Sequence, residues 1–153
     1  ICYSNYCLAL IKLNGGKMIA RASSCVGNSW CHATFKVKYC HKVFEIEEVR
    51  MFVFDLLNQI SAGYNMPVED VGFGDNHVHF DIDIRIRSKP EVAKIFKGII
   101  GKMVLRKFPE IKKKYFYGSG FWSPAYFLDN IGRNHEEIKQ YIKKQDYVYA
   151  RGD

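Results

Sequence analysis

The chain has 153 residues and a mass of 17.8 kDa, and 48% of its residues are hydrophobic and 15% aromatic. A chain of this length and composition can fill one hydrophobic core, which excludes an intrinsically disordered protein. No apolar stretch approaches the ~20 residues of a membrane-spanning helix, so the sequence predicts a soluble globular protein.

Charge is unevenly distributed along the chain, whose net charge is +7. Residues 89–114 contain nine basic and two acidic residues, whereas residues 45–88 contain three basic and nine acidic residues. A dense basic stretch attracts polyanions. Nucleic acid is therefore the first predicted partner, and an anionic membrane surface is the second.

The first 40 residues carry all five cysteines: Cys2, Cys7, Cys25, Cys31 and Cys40. Their odd number and the absence of a C-x-x-C pair argue against a disulfide framework or a zinc ribbon, and we expect reduced thiols in a cytosolic protein. We interpret residues 1–29 as an N-terminal leader of uncertain structure, residues 30–149 as a single domain and residues 150–153 as a tail.

The first predicted elements of the domain are a strand, a helix and a second strand. Residues 30–39 alternate between apolar and polar side chains, which is typical of a strand. Apolar residues then recur every three or four positions over 46–60, and Gly63 stands where a helix is expected to end. Residues 68–73 form the next predicted strand, which a Gly-Asp-Asn turn at 74–76 joins to a third.

The third predicted strand, 77–87, alternates regularly. Its predicted core face consists of Val78, Phe80, Ile82, Ile84 and Ile86, and its predicted working surface of His77, His79, Asp81, Asp83, Arg85 and Arg87. A second helix follows, with an apolar face formed by Val92, Phe96, Ile99, Ile100, Met103 and Val104. On its other face, Gly98 and Gly101 allow a bulky group to approach the helix backbone.

An aromatic segment, 115–127, supplies part of a fourth predicted strand, and a helix ends the domain. Asn134 and Glu137 form a capping box, after which one helical face carries Ile138, Tyr141, Ile142, Gln145 and Tyr149. The order of elements predicts the α+β class. We expect a ferredoxin-like or RRM-like antiparallel sheet with helices on one face and an extra C-terminal helix.

His77 and His79 are the first candidate site residues. Residues i and i+2 of a strand point to the same side about 7 Å apart, so two imidazoles at these positions can hold a metal ion. The alternative is a pair of solvent-facing histidines on an amphipathic strand. On the terminal helix, Tyr141 and Gln145 are one turn apart, so a phenol and an amide oxygen project from the same side.

A tyrosine one turn from a metal ligand is a candidate nucleophile. Its pKa near 10 makes it a poor nucleophile in water, but a metal bound to the scissile phosphate withdraws charge and stabilises the transition state. Periodicity alone favours a different interpretation, in which Tyr141 is a core aromatic residue and Gln145 a surface residue.

Three motifs of this chain, in this order, resemble those of a known family. Residues 74–80 (GDNHVHF) look like the HUH motif, residues 121–127 (FWSPAYF) resemble a W-S-P-x-Y-F signature, and residues 141–145 (YIKKQ) resemble a Y-I-x-x-Q helix motif. Together they are similar to the single-tyrosine HUH transposases of the 200/605 family of insertion sequences, called TnpA. The resemblance extends from about residue 30 to residue 145.

The resemblance implies that the protein mobilises DNA as single strands and recognises hairpins near the ends of an insertion sequence. It implies that His77, His79 and Gln145 bind Mg²⁺ or Mn²⁺. It also implies that Tyr141 attacks a DNA phosphate, giving a 5′-phosphotyrosine and a free 3′-hydroxyl. Similar proteins work as homodimers with composite active sites, so we expect a cytoplasmic homodimer with no membrane partner.

The chain departs from the family pattern at two places. An extra polar residue before His77 shifts Asp75 relative to the predicted metal, and Cys40-His41 replaces a basic pair. Neither change affects the predicted nucleophile or ligands.

Predicted DNA contacts are the basic residues near these motifs, together with one glycine that permits close approach: Lys36, Lys38, Lys94, Lys97, Gly98, Lys102, Arg106 and Lys107. A solvated helix face is the alternative for this set. Two alternative functions also stay open: a domesticated HUH nuclease or replication nickase acting on repeated hairpins, and a non-catalytic RRM-like nucleic-acid-binding module.

Overall fold

A computed structural model describes residues 29–131 throughout and, outside this range, the backbone of four short strands. Three of these, β1 (Ile11–Lys12), β2 (Met18–Ala22) and β3 (Cys25–Gly27), form a small antiparallel sheet within the segment expected to be a leader. The fourth, β8 (Tyr147–Tyr149), belongs to the main sheet.

The elements of the domain follow one another as β4 (Trp30–Val37), α1 (Glu47–Tyr64), β5 (Val68–Phe73), β6 (His77–Asp83), α2 (Lys89–Lys107), α3 (Pro109–Tyr115) and β7 (Trp122–Asn130). The main sheet has the strand order β7-β4-β6-β5-β8, and each neighbouring pair is antiparallel. Helix α1 connects β4 to β5, and α2 lies between β6 and β7. This topology confirms the predicted ferredoxin-like α+β fold.

The hydrophobic core lies between one face of the sheet and the helices. Phe35 of β4 contacts Phe80 of β6 at a ring-centroid distance of 5.4 Å, and Phe80 contacts Phe96 of α2 at 5.6 Å. All three side chains are fully buried. Because side chains alternate along a strand, the neighbours of Phe35 and Phe80 point to the opposite face of the sheet, where the candidate site lies.

Helix α1 ends two residues later than predicted. Gly63 lies within the helix, and Asn65 takes the left-handed conformation that ends it, with φ of 52°. Asparagine tolerates this conformation better than most residues with a Cβ atom. The expected glycine cap was therefore wrong.

The third predicted strand was too long. Asp83 of β6 pairs with Trp30, the first residue of β4, and one further backbone hydrogen bond joins Ile84 to Ser29 before Arg85 turns away with φ of 56°. Consequently Ile86, expected in the core, is 85% exposed. Met103, also expected in the core, is exposed on α2.

Two elements near the C-terminus also differ from the prediction. The basic segment 112–114 belongs to a short helix, α3, which starts with Pro109 at its first turn and has no apolar periodicity that would reveal it. The strand after it begins only at Trp122. Tyr149, expected on the terminal helix, pairs with Val71 in β8, because the open backbone edge of β5 supplies hydrogen-bonding partners.

In the described ranges, the helices are too short or too polar to cross a lipid bilayer.

A two-histidine candidate active site

The sheet face opposite the helices carries the predicted histidine pair. His77 is paired with Lys36 of β4, and His79 with Thr34. Thr34 is also paired with Phe127 of β7, so Phe127, Thr34 and His79 form one row across three strands. Directly paired residues of antiparallel strands project to the same face, which brings both imidazoles and these neighbours onto one surface.

Two glycines of the neighbouring strand make room for the imidazole rings. A Cβ atom at Gly72 would lie 2.6 Å from Nε2 of His79, and a Cβ atom at Gly74 would collide with the ring of His77. The glycines are two residues apart, as are the histidines, so each ring lies over the backbone of one glycine. We call Gly72 and Gly74 the glycine cradle. Sequence reasoning missed this role, although the G-x-G spacing before H-x-H was visible.

The geometry of the two imidazoles suits metal binding. Their ring centroids are 5.7 Å apart. Nδ1 of His77 is 3.1 Å from the side-chain oxygen of Asn76, an arrangement that orients the ring. Nε2 of His79 is buried and has no hydrogen-bond partner among the described residues. A nitrogen that coordinates a metal ion would look like this in the metal-free protein.

In the described part of the chain, no group of three His, Cys, Asp or Glu side chains could hold a metal ion. The predicted third ligand, Gln145, and the predicted nucleophile, Tyr141, lie outside the described residues. The metal assignment and the ligand set therefore stay predictions. The thiols of Cys31 and Cys40 are not part of a disulfide.

Burial of the polar strand face was not expected. His79 is 2% exposed, and Asp81 and Asp83 are also buried. The prediction of an open working surface along all of β6 was therefore wrong. Buried polar groups need partners, and Asp81 has one in His32 of β4, whose Nδ1 lies 2.9 Å from its carboxylate. Sequence reasoning missed His32. The signal was present, because His32 and Asp81 each occupy a polar position in a strand whose polar and apolar residues alternate.

Burial, together with the nearby His32 and His77, lowers the pKa of His79 to about 4. The imidazole is thus neutral at pH 7, which is the form that binds a metal.

This pKa predicts a specific pH dependence of stability for the metal-free protein. Above about pH 6.5 the imidazole is neutral in both the folded and unfolded chains; as the pH falls towards 4, only the unfolded chain takes up the proton. We expect the free energy of unfolding to lose up to about 3 kcal/mol in this window through His79. Urea denaturation between pH 7.5 and 4 measures it, and His79→Gln should show a flatter profile. Identical profiles would contradict the prediction.

The basic residues of α2 lie on the other side of the sheet. Lys94, Lys97 and Lys102 line a groove of about 570 Å³ between α2 and the first half of β7. Gly98 also lines this groove, and a Cβ atom there would meet nothing within 4 Å. The structure therefore places the predicted basic helix and the predicted catalytic histidines on opposite faces of the sheet, which the sequence did not reveal.

Lys97 has a structural role within this groove. Its ammonium group donates hydrogen bonds to the backbone oxygens of Ser123, Pro124 and Ala125, at 2.7, 2.9 and 3.3 Å. Burial lowers the pKa of this amine. Gly101, proposed to admit a bulky group, is approached by the chain itself: a Cβ atom there would lie 3.2 Å from Trp122. The W-S-P segment is thus fastened to α2.

The remaining predicted contacts are scattered. Lys36 is exposed on the histidine face. The Lys38 ammonium lies 5.2 Å from the centroid of the Tyr39 ring, and the Lys107 ammonium lies 4.2 Å from that of Phe52. Arg106 is exposed on α2. Their contacts with DNA stay predictions.

Asp75, whose position relative to His77 departs from the family pattern, has a structural role. Its carboxylate lies 3.2 Å from the ammonium group of Lys42, and its backbone oxygen accepts a hydrogen bond from Phe44. It therefore fixes the loop that follows β4 against the turn before His77.

A ferredoxin-like sheet that presents a histidine–hydrophobic–histidine triplet on a central strand defines a protein of the HUH class. The family described as "Transposase IS200 like" matches residues 25–145, most of the chain. The chain belongs to this family and is a transposase of the IS200/605 type, as the motifs predicted.

Individual relatives agree with this assignment. The chain is 28% identical over 118 residues to the ISDra2 transposase TnpA of Deinococcus radiodurans, covering 76% of this chain and 79% of the relative. It is 28% identical over 115 residues to the transposase for insertion sequence element IS200 of Salmonella typhimurium, covering 74% of each. A crystal structure from Deinococcus radiodurans R1, assigned as a transposase, has the same fold, with a TM-score of 0.67 and 23% identity over 82% of this chain and 96% of that one.

Proposed function

We propose that this transposase cuts and rejoins single-stranded DNA at the ends of an insertion sequence, with Tyr141 as the nucleophile. The observation that carries the proposal is the pair of imidazoles over the glycine cradle, one of which holds a buried nitrogen with no hydrogen-bond partner among the described residues. A strand that served only to bind nucleic acid would gain nothing from burying His79 in this state, because an unsatisfied polar group costs free energy.

The proposed reaction is a transesterification. The phenolate oxygen of Tyr141 forms a bond to the scissile phosphorus, the bond from phosphorus to the 3′-oxygen breaks, and the departing 3′-oxygen takes up a proton. One phosphodiester is exchanged for another, so the reaction needs no ATP. The free 3′-hydroxyl can reverse the step on a different strand and thereby join two DNA ends.

His77, His79 and Gln145 would hold a divalent cation, Mg²⁺ or Mn²⁺. When bound, this ion withdraws charge from the scissile phosphate and so lowers the barrier to attack by a phenol. The protein supplies the orientation: Asn76 fixes the ring of His77, and the glycine cradle lets both rings lie close to the sheet.

The two faces of the sheet suggest two separate roles, hairpin binding on one face and cleavage on the other. We place the DNA hairpin on the basic groove of α2, where Lys94 and Lys102 are exposed at its rim. Its single-stranded extension would then pass around the edge strand β7 to the histidines on the opposite face. We further propose a cytoplasmic homodimer in which the tyrosine helix of one subunit completes the site of the other.

The experiment that tests this function is covalent trapping. The protein is incubated with Mn²⁺ and a DNA pool that carries a stable hairpin with randomised single-stranded arms on both sides. We expect an adduct that resists denaturant, and peptide mass spectrometry should locate it on Tyr141. If no adduct forms although the pool binds, the protein is a binding module rather than a nuclease.

Salt dependence tests the hairpin site independently. Replacement of Lys94, Lys102 and Arg106 by glutamine should reduce the slope of log affinity against log salt by about 3, because each lost phosphate contact contributes about 0.9 for a duplex. The matched control removes the same charge from α3 by changing Lys112, Lys113 and Lys114. An equal loss in both triple variants would show that only net charge matters and that the groove is not the site.

A further inference from the structure

Phe127 is an exposed aromatic residue on the polar sheet face. Its side chain is 55% exposed, whereas the next residue, Leu128, is buried in the core. Its ring centroid lies 6.4 Å from that of His32, which in turn lies 5.9 Å from that of His79. Because this ring is mostly exposed, core packing does not explain an aromatic residue at this position beside the predicted catalytic histidines.

The row formed by Phe127, Thr34 and His79 has the dimensions of a nucleotide. Adjacent strands are about 4.8 Å apart, so Phe127 and His79 are separated by about 10 Å across the sheet. Thr34, between them, has a short side chain that is only half-buried. A base stacked on Phe127 would therefore have its phosphate within reach of the histidines.

The charges around this row fix a direction. Lys36, on the side of His77, is exposed and can attract a phosphate. On the opposite side of Phe127, Asp129 carries a negative charge, and its carboxylate lies 3.2 Å from the ammonium group of Lys89. Because the charges of the Asp129–Lys89 pair largely cancel, the exposed Lys36 draws a phosphate towards His77, with the base left over Phe127.

The position of Phe127 on the edge strand also fits the proposed DNA path. Tyr126 lines the basic groove on the helix side, and Phe127, the next residue, points to the histidine side. In the described part of the main sheet, β7 is the outer strand next to β4. A single strand that leaves the groove and crosses this edge meets Phe127 before it reaches His79.

We infer that Phe127 is a stacking platform for one unpaired DNA base next to the scissile phosphate, and that it positions the strand for attack. The inference rests on the proposed function and adds a binding subsite to it. Base stacking on aromatic side chains tolerates every sequence, so this subsite sets the path of the strand and leaves the choice of sequence to other contacts.

Fluorescent DNA tests the platform without knowledge of the natural sequence. An oligothymidylate of about 20 nucleotides with one central 2-aminopurine is titrated with wild type, Phe127→Leu and Phe127→Trp. We expect the leucine variant to bind about 5- to 100-fold more weakly and to lose the fluorescence quenching, and the tryptophan variant to restore both. Tyr64→Leu, which removes an exposed ring from α1, is the matched control and should behave like wild type.

Parallel trapping of the covalent adduct separates this inference from the proposed function. If wild type forms the adduct and Phe127→Leu binds and quenches like wild type, the platform is refuted and the nuclease function stands. If quenching depends on Phe127 but no adduct forms, the platform stands as a binding site and the cleavage chemistry is refuted. Failure of wild type to bind the oligonucleotide would overturn the platform.

Discussion

Replacement of Tyr141 by phenylalanine is expected to abolish the covalent protein–DNA adduct and strand transfer, by at least ~10³-fold, because the phenol oxygen is the proposed attacking atom and no other group can replace it. Binding of the hairpin should be unchanged, since the substitution removes no positive charge and leaves the lysines of the basic groove in place. Gel analysis of the adduct measures the first effect, and an equilibrium titration of hairpin DNA measures the second.

Tyr64→Phe is the matched control, because it removes a phenol oxygen from the end of α1 and leaves the proposed nucleophile in place. Mixing inactive subunits extends the test to the proposed composite site. Tyr141→Phe and His79→Ala should each be inactive alone, and mixed dimers should recover part of the activity if the tyrosine acts in the partner's site. An adduct formed by Tyr141→Phe itself would refute the proposed nucleophile.

Replacement of Gly72 by alanine is expected to impair metal binding and DNA cleavage about 10- to 100-fold while the fold persists. The new Cβ atom would lie 2.6 Å from Nε2 of His79, closer than non-bonded atoms allow, so the imidazole must turn away from its position. Alterations that disorient metal ligands typically have effects of this size. Alanine itself suits a strand interior better than glycine, so the loss should not come from unfolding.

Gly63→Ala provides the control for this substitution. A Cβ atom at Gly63 meets nothing within 4 Å, and the residue lies in a helix, so this variant should be about 0.5–1 kcal/mol more stable and as active as wild type. Calorimetric titration with Mn²⁺ and urea denaturation of both variants separate ligand geometry from stability. Wild-type Mn²⁺ affinity in Gly72→Ala would show that the cradle is not needed.

Much of the fold follows from local patterns in the sequence. Strand β5 and the Gly-Asp-Asn turn were predicted with correct positions, since alternation and turn residues act over a few neighbours. Errors occurred where a distant part of the chain decides the outcome. Strand β6 stops at Asp83 because β4 begins at Trp30, and Tyr149 joins a strand because β5 offers a free edge.

The sequence alone determined the identity of the protein: the H-x-H pair, the W-S-P segment and the Y-I-x-x-Q segment suffice for the family, because each motif is a short local pattern. Only the tertiary structure decided how these parts are arranged. Strand register pairs His79 with Gly72 and Thr34, and Thr34 with Phe127, residues that are far apart in the chain. It also separates α2 from the histidines, because the side chains of β6 alternate between the helix-covered face and the opposite face of the sheet.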